Sequence, residues 1–145
     1  MRTSQRGIDL IKEFEGFSAR AYLCAGGKLT IGYGHTHGVY SGQEITQEKA
    51  EEYLRQDLID AEQTICRLVE VPLTQNQFDA LVSLVYNIGP GNFYSSTIRR
   101  VINYKISDIN EYRLAWMMWV KAGGKKLKGL IRRREAEFKL FSSND

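Results

Sequence analysis

Apolar residues recur at helical spacing through most of this chain, interrupted near the N-terminus by a short stretch that reads as strand. Ile8, Leu10, Ile11 and Phe14 form a first stripe behind Ser4, a natural N-cap, and the stripe stops at Glu15-Gly16. Ala21 to Cys24 and Leu29 to Tyr33 then read as two strands, with Ala25-Gly26-Gly27-Lys28 as the turn between them. A third short strand is expected to end at Gln43-Glu44-Ile45. Thr46 caps a long helix whose apolar side carries Ala50, Tyr53, Leu54, Leu58, Ala61, Ile65 and Leu68. Pro72 ends that segment, and Thr74 with Gln77 forms a capping box for a helix that is apolar nearly all round, from Phe78 to Ile88. Gly89-Pro90-Gly91 breaks it. Ser95 or Ser96 and then Asp108 start two more helices, Gly123-Gly124 stops the second, and a basic stretch from Lys125 leads into a last helix with Leu130, Ile131, Phe138 and Phe141.

This order predicts an α+β protein forming a single domain over 1–145. A lobe with a small antiparallel sheet spans about 15–45, a linking helix about 46–68, and a helical lobe about 72–145 receives the first helix. At 145 residues and 43% hydrophobic, the chain can bury one sizeable core. Its net charge of +3 is too mild for a dedicated nucleic-acid arm but suits a polyanionic surface. Only two cysteines occur, Cys24 and Cys66, so no disulfide framework is expected, and two free thiols imply a reducing compartment. The N-terminal helix lacks the uninterrupted apolar run of a signal peptide or membrane span, so neither self-export nor membrane insertion is expected.

The chemistry concentrates between Phe14 and Thr36. Glu15 ends the first helix, and Cys24 and Thr30 flank the hairpin turn as close neighbours. A hairpin folded back over the helix end would gather an acid, a thiol and a hydroxyl in one cleft, a set suited to hydrolysis. The spacing Glu15, eight residues, Cys24, five residues, Thr30, with Gly27-Lys28-Leu29-Thr30-Ile31-Gly32-Tyr33-Gly34-His35-Thr36 around the last of them, resembles the active-site signature of the phage-type lysozymes, or endolysins. Tyr86-Asn87-Ile88-Gly89, Asn92-Phe93 and Gly129-Leu130-Ile131-Arg132-Arg133-Arg134-Glu135 are similar to later motifs of the same family, so the resemblance covers nearly the whole chain.

The resemblance implies a lysozyme-like fold and a muramidase acting on peptidoglycan without metal or cofactor. Glu15 would be the general acid, and a glutamate protonating the leaving oxygen must itself carry a proton. Family members often have Asp where this chain has Cys24, which leaves the thiol three roles: base, nucleophile, or a group that positions water. Thr30 would orient the attacking water on the opposite sugar face, giving inversion. The resemblance further implies a His35–Asp57 hydrogen-bonded pair tying hairpin to long helix, contact between Arg133 and Glu15, and Gly32, Thr36, Asn92, Phe93 and Arg133 as substrate-binding positions. His35 and His37 alone do not make a metal site.

Plain readings compete with these. Glu15 could be a solvated helix-end charge, Cys24 a small inert hydrophobe, Thr30 an ordinary β-branched strand residue, and the basic C-terminal segment a solvated face. The same segment could touch anionic envelope polymers. The competing functional class is a non-catalytic module that binds cell wall or nucleic acid through its basic C-terminus. Nucleic acid is disfavoured because the basic residues lack interleaved exposed aromatics. As an endolysin, the protein is expected to be a monomer that accumulates in the host cytoplasm and meets its substrate once the membrane is permeabilised.

Overall fold

The computed structural model describes residues 1–144. Seven helices and two small hairpins follow in the order α1 (Gln5–Glu15), β1 (Ser18–Leu23), β2 (Leu29–Gly32), α2 (Gln47–Leu68), α3 (Gln75–Ile88), α4 (Pro90–Tyr94), α5 (Thr97–Asn103), α6 (Ile109–Trp116), β3 (Lys121–Ala122), β4 (Lys125–Lys126) and α7 (Lys128–Ser142). α3 is the axis of the helical part and packs against α1, α2, α4 and α7. From Phe78 to Val85 every side chain of α3 is buried, including Asp79 and Ser83. Around it lie Ile8 and Ile11 of α1, Leu54, Leu58 and Ile65 of α2, Ile98 of α5, Trp116 of α6 and Phe141 of α7.

Local chemistry explains most element starts. The Thr46 hydroxyl accepts from the Lys49 amide at 3.1 Å, Thr74 and Gln77 close a reciprocal capping box, and Ser96 accepts from the Arg99 amide. Ser4 begins α1 differently. It makes no side-chain cap; its amide and hydroxyl both donate to the buried Asp79 carboxylate on α3. The cap expected from the local sequence is thus replaced by a tertiary contact.

β1 and β2 pair antiparallel, with Leu23 opposite Leu29 and Tyr22 opposite Thr30. The expected third strand is reduced to an isolated bridge between Arg20 and Glu44, flanked by amide bonds from Ala21 to Gln43 O and from Ile45 to Ala19 O. Gly123-Gly124 does more than stop a helix. α6 already ends at Trp116, a 3₁₀ turn covers Met117–Trp119, and the two glycines form the tip of the β3–β4 hairpin with φ of 59° and 80°. Two consecutive positive φ values are what a two-residue hairpin loop requires. The basic segment is not one solvated face either, because Arg133 and Arg134 are buried on α7. Among the described residues, no helix is long and apolar enough to cross a membrane.

Candidate active site

Glu15 is the last residue of α1, and Gly16 ends the helix by donating its amide to Lys12 O at 3.0 Å. The Glu15 side chain is about one-fifth exposed (21%), and its Oε2 accepts from Arg133 Nη1 at 2.7 Å. Oε1 lies against Gly34. A Cβ at that glycine would stand 3.1 Å from Glu15 Oε1 and 3.5 Å from the Tyr86 hydroxyl, so the bare backbone is what lets the loop close on the acid. The same loop is held by paired amide bonds of 2.9 Å between Ile31 and His35 and follows Thr30 directly.

Thr30 is buried on β2, and its hydroxyl donates to Lys28 O at 3.1 Å. Cys24, half-buried beside it, is a free thiol whose pKa is lowered. The amide of Lys28 contributes most, followed by the amide of Gly26 and the Thr30 hydroxyl, all of which stabilise the thiolate. A hydroxyl has one proton to give, so Thr30 serves either Lys28 O or the sulfur at a given moment. The sequence expectation of Cys24 and Thr30 as neighbours and the observed geometry agree. Glu15 is linked to this pair through the Ile31–His35 loop, whose Gly34 lies against its Oε1.

Behind the acid, Arg133 is buried and fully committed. Nη1 reaches Glu15, Nε reaches Glu137 Oε2 at 3.1 Å, and Nη2 donates to Ser83 O at 3.2 Å. Tyr86 donates to Tyr33 O at 3.4 Å, and its pKa is raised by burial first and then by the Glu15 and Asp57 charges, which keeps it a phenol. His35 Nδ1 lies 2.8 Å from Asp57 Oδ2 on α2, and its ring stacks on Tyr53 with centroids 4.2 Å apart. The loop beside Glu15 is therefore fastened to the long helix.

The positions expected at the substrate divide. Thr36 is exposed and lines a cavity of about 500 Å³ with Leu23, Gly27, Lys28, Leu29 and Val39, and Asn92 is exposed with its amide donating to Ile88 O at 2.8 Å. Phe93 is 0% exposed and belongs to the core, so it has no face to offer a sugar. Gly32 is buried with its α-carbon toward α2, where a Cβ would stand 3.1 Å from that of Ala50. Arg133, at 4% exposure, touches the acid and is not placed to touch a saccharide. Ser83, Tyr86 and Glu137 were not expected. Ser83 was signalled only as a hydroxyl inside an otherwise apolar helix, and Glu137 reads in sequence as the surface partner of Arg133 one turn away.

The family model of phage lysozyme matches residues 12–137. The chain belongs to the phage lysozyme family. It is 45% identical over 147 residues to an endolysin of Acyrthosiphon pisum secondary endosymbiont phage 1, with 99% of each chain covered. An endolysin of Salmonella phage P22 is 43% identical over 148 residues, again with 99% of each chain covered. Among solved structures, the muramidase domain of SpmX from Asticaccaulis excentricus superposes with a TM-score of 0.91 at 39% identity, covering 99% of both chains. The phage lysozyme fold thus accounts for the helix-hairpin arrangement that brings Glu15 to the loop after Thr30.

Proposed function

We propose that this phage lysozyme is an endolysin that hydrolyses the β-1,4 bond between N-acetylmuramic acid and N-acetylglucosamine in peptidoglycan. The observation that carries the reading is the acid at the end of α1: Glu15, partly buried, gripped on one oxygen by Arg133 and backed on the other by Gly34. Such a carboxyl is fixed in direction yet open to a leaving oxygen, which is what general acid catalysis of glycoside cleavage needs. Cys24 and Thr30 supply the second half. A thiol biased toward thiolate can take a proton from water, and the neighbouring hydroxyl can fix that water's orientation. With Glu15 as acid and the Cys24–Thr30 pair activating water on the other sugar face, the product anomer is inverted. The scheme uses no metal.

The test is clearing of outer-membrane-stripped Gram-negative walls, with new reducing ends counted. Wild type clears and Glu15→Gln loses at least about a hundredfold, the usual worth of a positioned acid. Cys24→Ala falls short of wild type if the thiol does chemistry. Proton NMR of the first-formed anomer reads the stereochemistry, and a retained anomer would make Cys24 a nucleophile instead. Folded wild-type protein that binds walls without releasing reducing ends would replace the enzyme with the binding module. Exposed Lys125, Lys126 and Lys128 support a weak additional contact with anionic envelope polymers.

A further inference from the structure

Behind the acid lies a buried charge cluster that the hydrolytic scheme does not use. Glu137 is 0% exposed, one turn along α7 from Arg133. Its Oε2 accepts from Arg133 Nε at 3.1 Å and from the Ser83 hydroxyl of α3; its Oε1 accepts from Trp116 Nε1 of α6 at 3.1 Å and from Arg134. Arg134 is itself anchored by its Nε bond to Trp119 O at 2.9 Å and by Asn87. Four donors from three helices therefore fix one carboxylate, and that carboxylate in turn holds the guanidinium that holds Glu15.

Arg133 grips Glu15 at 2.7 Å, so the direction of the acid depends on what holds the guanidinium. Glu137 is part of that hold, because the same guanidinium faces a second carboxylate at its Nε edge. We propose that Glu137 is a positioning residue for the acid, anchoring Arg133 in one orientation against Glu15 and taking up part of its charge. The proposal rests on the reading of Glu15 as the general acid. The other charged or titratable groups facing this region are Arg134 on α7 beside Glu137, the Tyr86 phenol on α3, Asp57 on α2, and Arg132, whose guanidinium stands 5.5 Å from the Phe14 ring centroid.

The experiment compares wild type with Glu137→Gln, which keeps shape and removes one charge. Clearing of outer-membrane-stripped walls, followed over a range of wall concentrations, separates kcat from KM. In Glu137→Gln kcat falls by about tenfold with KM little changed, as expected when the acid loses its fixed direction and substrate binding is untouched. Glu137→Asp, which keeps the charge, restores kcat in part. If folded Glu137→Gln keeps the wild-type kcat, or if Glu137→Asp restores nothing, the proposal is overturned.

Where Glu137→Gln does not fold, Glu137→Asp serves alone: its shorter side chain loosens the hold on Arg133, so kcat falls below wild type, and an unchanged kcat in the folded variant overturns the proposal. Failure of the underlying reading looks different, because Glu15→Gln would then still clear walls.

Discussion

At the scale of single residues, the group proposed to activate water is a thiol, where a carboxylate would be the ordinary choice. The Lys28 and Gly26 amides and the Thr30 hydroxyl point their donor capacity at Cys24 and hold its pKa below the usual thiol range. Iodoacetamide alkylation of Cys24, followed by mass spectrometry across pH, should therefore show a midpoint below the free-cysteine value of about 8.5. Thr30→Val, which removes the one side-chain donor among these, should raise that midpoint, and a midpoint at or above the ordinary value would show that the turn does not activate the thiol. The closeness of Cys24 and Thr30 was legible in sequence because it is local: both lie beside the turn of one hairpin. Phe93 and Gly32 were misplaced because an aromatic or a glycine next to a site motif looks the same whether it faces a ligand or the core. Glu137 was invisible for a related reason, since an Arg and a Glu four apart on a helix ordinarily form a solvated pair. Only the fold reveals that α3 and α6 cover them.

At the scale of elements, the contacts that decide where Glu15 points are those fastening α1 to its neighbours. Lys12, near the end of α1, donates to Glu51 on α2, and Arg55 lies 3.4 Å from the same carboxylate. The Lys12 bond is the main reason the Glu51 pKa is held low, opposed by partial burial. A carboxylate with a depressed folded-state pKa contributes stability above its unfolded value and loses it as pH falls through the folded one. Glu51→Gln should accordingly lower stability by about 0.5–1 kcal/mol near neutral pH, the discount reflecting its solvent contact. The gap in Tm between variant and wild type should close in acid, and a gap that persists below the folded value would assign the loss to packing. Helix starts such as Thr46, Thr74 and Ser96 were readable because caps act within three residues. The β3–β4 hairpin was not, because Lys-Ala and Lys-Lys carry no apolar alternation and only the positive φ of two glycines distinguishes its turn from a helix stop.

At the scale of the whole molecule, the order of elements and the central place of α3 followed from periodicity, but the way the chain's first residues lock onto the far lobe did not. The amide and hydroxyl of Thr3 both donate to Glu62 Oε2 on α2, at 2.8 and 2.6 Å, while Ser4 donates twice to Asp79 on α3. Gln75 also donates to Asp79, at 2.8 Å, so this buried carboxylate is satisfied from two elements. α1 is thereby fixed at its start by α2 and α3 and at its end by Arg133 of α7, and the acid is held through the length of one helix. The closest approach in this lock is Gly7, where an added Cβ would meet Thr3 Cγ2 at 2.7 Å and Asp79 Cγ and Cβ at 2.8 and 2.9 Å. Neither neighbour is a flexible tip, so Gly7→Ala forces a shift of buried groups and should cost about 1–3 kcal/mol. With about 2–4 °C lost per kcal/mol for a protein of this size, differential scanning calorimetry would register a clear fall in Tm. Asp79→Ala removes Cγ, one of the three atoms the new methyl strikes, but it also takes away the acceptor of the Ser4 amide and hydroxyl and is destabilising alone. The two changes share one contact, so the double variant Gly7→Ala/Asp79→Ala should lose less than the sum of the singles, by about 0.5–3 kcal/mol. Strict additivity would mean that the cost of the Gly7 methyl comes from Thr3 and not from the Asp79 carboxyl.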